Sequence, residues 1–166
     1  MEHLWASWRN LYVTQPSEAR GDVFAEIARS SDDQANHVLA RGKSCFAVLN
    51  LYPYNTAHLM IVPYRAVPDL EDLSDDELLE LMTMLKQMKA AVTAAFHPHG
   101  FNVGINLGIA AGAGIEQHLH VHLVPRWRGD ANFMTVTAGT RVHPNDLETI
   151  YATLKKVLAD GGNASP

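Results

Sequence analysis

Apolar positions along the chain fall into two periodicities, and these place the elements. In "LSDDELLELMTMLKQMKAAVTAAF", residues 73–96, Leu78, Leu81, Met82, Leu85, Met88 and Val92 recur at helical spacing. Ser74 and Glu77 stand before them in the S-x-x-E arrangement, in which side chain and backbone cap each other, so a long helix starts here. "HPNDLETIYATLKKVLAD", residues 143–160, predicts a second helix, with Asn145 or Asp146 at its start and lysines near its end. A weaker pattern predicts a third over Asp32 to Ala40.

The other period is two. "SCFAVLNLYP", "AHLMIVPYR", "FNVGINLG" and "QHLHVHLVP" are rich in apolar and β-branched residues and bounded by turn formers, which predicts four strands. The short link "YPYNTA" favours a hairpin between the first two, and hence an antiparallel sheet. The expected fold class is α+β, a mostly antiparallel sheet with helices packed on one face. A chain of 166 residues without a linker is read as one domain over 1–158, and the side-chain-poor end, 159–166, as a flexible tail.

Composition narrows the function. With 47% hydrophobic and 19% charged residues and a net charge of −5, the chain reads as a globular protein and not as a binder of nucleic acid polymers. No apolar run reaches the length of a membrane span, and the start lacks a charged-then-apolar secretory pattern, so a cytoplasmic location is expected. The single cysteine, Cys45, followed by Phe46, Ala47 and Val48, reads as a buried strand position.

One strand carries chemistry. Side chains alternate across a strand, so His118, His120 and His122 share one face while Leu119, Val121 and Leu123 point into the core. "FNVGINLG" likewise sets Asn102 and Asn106 opposite Phe101, Val103, Ile105 and Leu107, and pairing of the two strands would bring Asn106 to the histidines. Between them, "GIAAGAGIE" holds Gly108, Gly112 and Gly114, which let a backbone turn tightly and aim N–H groups at an anion. Three imidazoles in this pattern admit a metal site or a nucleophilic centre. The other histidines show no companion ligand spacing, and a histidine nucleophile facing an anion loop suits phosphorus chemistry.

"HLHVHLV" fits the histidine triad pattern, His-x-His-x-His followed by two apolar residues, and the chain resembles the histidine triad superfamily of nucleotide hydrolases and transferases from about Trp5 to Tyr151. "LWASWRNLYV", "VLNLYPYNTAHLMIVPYR", "GINLGIAAGAG" and "PRWRGDANFM" look most like the bacterial diadenosine tetraphosphate phosphorylases, with the fragile histidine triad hydrolases as the nearest wider group. The resemblance implies a homodimer and a two-step reaction on a dinucleoside polyphosphate. His120 would be the nucleophile at the α-phosphorus, with His118 and His122 as its catalytic partners, and inorganic phosphate slightly preferred over water as acceptor. Phosphate contacts would come from Asn106, the backbone of Gly112, Gly114 and Ile115, and the adjacent Gln117. Asn50 would bind ribose, His58 would stand beside the site, and Trp127 would contact substrate. No cofactor is implied beyond Mg²⁺ that can arrive with the substrate. Hydrolysis of purine nucleoside phosphoramidates is the alternative reaction, and nucleotide sensing without catalysis the alternative of another class.

Two departures stand out. Many bacterial relatives hold a structural zinc through an early Cys-x-x-Cys pair, a later histidine and the first triad histidine. Here Asp22, Ala25 and Ala66 occupy the first three positions, so no structural zinc is expected. Ala57 stands before His58 where relatives usually have glycine, which bears on the backbone there.

Overall fold

A computed structural model describes residues 21–130 and 146–161. The elements in chain order are α1 (Val23–Arg29), β1 (Val38–Arg41), β2 (Cys45–Leu49), β3 (Leu59–Pro63), α2 (Asp75–Phe96), β4 (Gly100–Ile105), β5 (Val121–Arg126) and α3 (Leu147–Ala159), with 3₁₀ turns at Leu70–Asp72 and Ile109–Ala111. The expected segments "LWASWRNLYV", the end of "PRWRGDANFM", Asn145, His143 and the last five residues lie outside the described residues.

The five strands form one antiparallel sheet in the order β1-β2-β3-β5-β4. The predicted β2–β3 hairpin forms, with Cys45 opposite Pro63 and Leu49 opposite Leu59. One face of the sheet offers Cys45, Ala47, Leu49, Leu59, Ile61, Leu119, Val121 and Leu123 to α2 and α3, making the larger core. The opposite face carries Phe46, Val48, Met60 and Val62, which pack with Phe24 of α1 and Val38. Thus the two long helices share one face, and the short α1 lies on the other. Removing an apolar side chain of this size from water contributes about 1.5–3 kcal/mol.

Helix α2 starts as its capping box predicts. The Ser74 side chain accepts from the Glu77 N–H, and Glu77 returns the bond to the Ser74 backbone. Its buried stripe is Leu81, Met84, Leu85, Met88, Ala91 and Val92, so Met84 takes the core position expected of Met82, which is 58% exposed. Asp146 caps α3 by accepting from the Thr149 N–H at 2.8 Å. The helix expected over Asp32 to Ala40 is absent. Asp32 instead accepts from the Ala35 N–H, Asn36 ties back to Ser30 and Asp32, and His37 adopts φ 54, which ends the turn. Val38 then enters the sheet opposite Val48. Local turn chemistry and strand pairing outweigh the weak helical pattern there.

Glu80 of α2 secures the β1–β2 hairpin. Its carboxylate accepts from the N–H groups of Lys43 and Ser44 and from the Ser44 hydroxyl. A Cβ on Gly42 would stand 2.3 Å from a Glu80 oxygen and 3.2 Å from the Cys45 carbonyl, so a side chain there would push the Glu80 carboxylate out of these bonds. Cys45 is fully buried against Met84, and burial, with Glu80 nearby, pushes its thiol up to about 12. It is a packing residue, inert as a nucleophile at neutral pH.

Candidate active site

The triad gathers where β3, β5 and α1 meet. His118, His120, His122 and His58 are all buried, at 0%, 6%, 8% and 1% exposure. Met60 lies opposite His122 in the β3–β5 ladder, and Gly104 opposite it in the β4–β5 ladder. That second ladder ends at Ile105 and Val121, so the next positions on the two chains are Asn106 and His120. The pairing of these two strands, on which the expected approach of Asn106 to the histidines depends, is thus present. The strand, however, starts only at Val121. His118 and His120 precede it, on a segment joined to the body of the fold through the Leu119 N–H, which donates to the Val67 carbonyl at 2.7 Å.

The hydrogen bonds assign each ring a role. His120 Nδ1 lies 2.9 Å from the His118 carbonyl oxygen, which can only accept, so Nδ1 carries the proton and Nε2 the lone pair. Burial holds this ring below the ordinary imidazole range, outweighing the opposing effect of its bond to the His118 carbonyl, so it stays neutral at neutral pH. His58 Nδ1 accepts from the Tyr54 backbone N–H at 3.0 Å and faces the Asn50 amide at 3.4 Å. Its proton is therefore on Nε2, which donates to His122 Nδ1 at 3.0 Å. His122 in turn has its proton on Nε2. Burial, with His122 and His120 adjacent, pushes His58 down to about 3, which keeps it neutral in this chain of bonds.

His118 is gripped at both nitrogens. Nδ1 donates to the Asp22 carboxylate, 2.9 Å from each oxygen, and Nε2 to the Pro63 carbonyl at 2.8 Å. Asp22 also caps α1 by accepting from the Ala25 N–H. Phe24 packs its ring against His118 and His120, with centroids 5.5 and 4.9 Å away. Neither Asp22 nor Phe24 is predicted as a site residue. The available signal is Asp22 as an N-cap before the apolar spacing Val23, Phe24, Ile27.

This arrangement does not fit a zinc site. Asp22 and the Pro63 carbonyl occupy both His118 nitrogens, while Ala25 and Ala66 offer no ligand atom. Among the described residues no cluster of His, Cys, Asp or Glu could hold a metal ion.

The glycine loop wraps beside the triad. Gly108 and Gly112 take φ of 76° and 89°, left-handed values that favour glycine. Ile115 packs against the Phe24, Phe46 and Met60 side of the sheet. The N–H groups of Gly114, Ile115 and Gln117, and the Asn106 amide, take no hydrogen bond among the described residues. Asn50 is partly committed, since its side-chain oxygen accepts from the Tyr52 N–H at 2.9 Å. Ala57, buried, has φ 56, which explains why glycine suits the position and costs about 1 kcal/mol with a side chain. Trp127, expected to contact substrate, stands just beyond the end of β5. Its indole donates to the Phe96 carbonyl at the end of α2. Its neighbours Arg126 and Asp130 form an ion pair that Asn55 and Asn102 complete.

Comparison with known proteins agrees with this geometry. The HIT domain model matches residues 31–129. An AP-4-A phosphorylase of Mycobacterium tuberculosis is 47% identical over 164 residues, covering 92% of this chain and 84% of its own. An asymmetrical bis(5'-nucleosyl)-tetraphosphatase of Schizosaccharomyces pombe is 36% identical over 121 residues, covering 73% and 59%. Among solved structures, a zinc-bound histidine triad family protein of Mycobacterium smegmatis superposes with a TM-score of 0.68 at 25% identity, covering 90% of this chain and all of that one. The match of the HIT domain model and the 47% identity over most of the chain show that the chain belongs to the HIT domain family.

Proposed function

We propose that this chain is an enzyme that cleaves dinucleoside polyphosphates at the α-phosphate through a nucleotidyl group carried on His120, and passes it preferentially to inorganic phosphate. The observation that carries the reading is the His120 ring: neutral, held at Nδ1 by the His118 carbonyl, with its lone pair on Nε2. In the first step Nε2 bonds to the α-phosphorus as the bond to the bridging oxygen of the departing polyphosphate breaks. That oxygen gains negative charge and leaves as a polyphosphate anion, and the His122 Nε2–H is suited to stabilise it by donating a hydrogen bond while keeping its proton. In the second step an oxygen of phosphate attacks the same phosphorus and the P–N bond breaks, which returns the pair to His120. The N–H groups of Gly114, Ile115 and Gln117 and the Asn106 amide are suited to the charge that builds on the nonbridging oxygens.

Phosphate as acceptor is favoured by the likeness to the AP-4-A phosphorylase of Mycobacterium tuberculosis, a relative that covers 92% of this chain. With diadenosine tetraphosphate, phosphorolysis gives ATP and ADP, and hydrolysis gives ATP and AMP. Product analysis with and without phosphate decides between them: ADP only when phosphate is present is expected, and AMP at an equal rate in both samples would refute the preference. A homodimer through β4 belongs to the same reading. This strand is a sheet edge without a charged residue, and Val103 on it is 51% exposed. A monomeric mass by light scattering would contradict that assembly.

A further inference from the structure

The nucleophile stands on a segment that the sheet does not hold. Ladder pairing with both neighbours begins at Val121, and among the described residues the backbone of residues 118–120 donates only from the N–H groups of Leu119 and His118, the second to the Ile115 carbonyl at a long 3.4 Å. What fixes His118 is its ring. Asp22 at the start of α1 takes Nδ1 with both carboxylate oxygens, and Pro63 at the end of β3 takes Nε2. The carbonyl that orients His120 belongs to this same residue. Phe24, two positions beyond Asp22, lies against both rings.

We infer that Asp22 is a positioning residue for the nucleophile: by clamping the His118 ring it fixes the His118 carbonyl, and that carbonyl keeps the His120 proton on Nδ1 and its lone pair on Nε2. Without the clamp the segment shifts and the carbonyl moves off Nδ1. The His120 proton then divides between its two nitrogens, and the fraction with Nε2–H cannot attack phosphorus. Carboxylate-to-imidazole bonds are charge-assisted and directional, which suits them to hold a short unpaired segment. Asp22 is 27% exposed beside a ring at 0%, so the clamp is set from the solvent edge of the site.

The inference rests on the nucleotidyl-His120 reading for its kinetic readout, and on ring tautomers for a readout that needs no substrate. Asp22→Ala removes both the clamp and the helix cap; Asp22→Asn keeps the cap and one acceptor but loses the charge. With diadenosine tetraphosphate and phosphate, Asp22→Ala is expected to lower kcat about 10²-fold with KM nearly unchanged, the size of effect that follows small misplacement of a reacting group. Asp22→Asn should lower kcat about tenfold. In ¹⁵N spectra of the histidine rings, wild type should show His120 as a single Nδ1–H tautomer, and Asp22→Ala an average of two. If Asp22→Ala does not fold, the asparagine variant decides the kinetics. A fall in melting temperature with kcat and the His120 signals unmoved would make Asp22 a helix cap alone and overturn the inference. If wild type turns over no dinucleotide, the functional reading fails and the tautomer comparison still decides this one.

Discussion

Replacing His120 with alanine is expected to lower kcat by at least about 10⁴-fold, the scale seen when a nucleophile is removed and the rest of a site is left in place. The variant should still fold. His120 is the least anchored ring of the triad, with one bond from Nδ1 to a backbone carbonyl, so its removal leaves the His58–His122 chain and the Asp22–His118 pair intact. Substrate affinity should change far less than kcat, because the loop N–H groups and Asn106 are untouched. The size of the loss follows from what Nε2 supplies. It is a neutral lone pair on a ring that burial keeps below the ordinary imidazole range, so it remains available at and somewhat below neutral pH. No neighbour can replace it: His118 has both nitrogens engaged with oxygens, and the His122 nitrogen that faces His58 is an acceptor. Turnover in His120→Ala within tenfold of wild type would remove the ring from the chemistry.

The second large effect is on stability. His58 is buried and pushed down to about 3, whereas in the unfolded chain it has the ordinary value near 6.5. A lowered folded value means that the unfolded chain binds the extra proton between those limits. Stability is therefore complete above about pH 6.5 and falls as the pH drops toward 3, by up to about 1.4 kcal/mol per unit where the difference is fully expressed. His120, lowered for the same main reason, adds in the same direction. Against a typical folding free energy of about 5–15 kcal/mol, a few kcal/mol is a substantial fraction. Paired carboxylates do not confuse the upper part of this window. Glu77 and Asp130, each at about 2, lose their stabilising ion pairs only at lower pH, beginning near the ordinary carboxylate range around 4. Urea midpoints from pH 7 to 4.5 should thus decrease steadily. His58→Gln, which cannot titrate, should start lower and show a shallower slope. Midpoints of wild type that do not move across this interval would contradict the buried neutral assignment.

Much of the site was legible in the chain because its signals are local and repeated. The alternation of His118, His120 and His122 with Leu119, Val121 and Leu123 requires one polar and one apolar face whatever the tertiary context, and burial of the leucines follows it. The capping box of α2 and the β2–β3 hairpin are likewise set by residues close in sequence. What the pattern did not yield depends on distant partners. Val38 becomes a strand because Val48 is across from it, and Met84 displaces Met82 from the core because Cys45 lies beneath it. Asp22 and His118 are separated by 96 positions, so their bond has no local trace beyond a helix cap. Alternation also implied that the whole triad lies within the strand. Strand pairing stops at Val121, and side-chain bonds take over where the ladder ends. The surroundings of Trp127 are also set at a distance, since its indole donates to the Phe96 carbonyl 31 positions away and its loop is tied by Asp130.

The claim on which the rest depends is that the nucleotide passes through a bond to His120. Each in-line displacement inverts phosphorus, so two in succession restore its configuration. The decisive measurement uses diadenosine tetraphosphate made chiral at the α-phosphorus with sulfur and follows the configuration of the nucleotide released after transfer to isotopically labelled phosphate or water. Net retention is the predicted result; net inversion means that the acceptor attacks the substrate directly and would contradict the account.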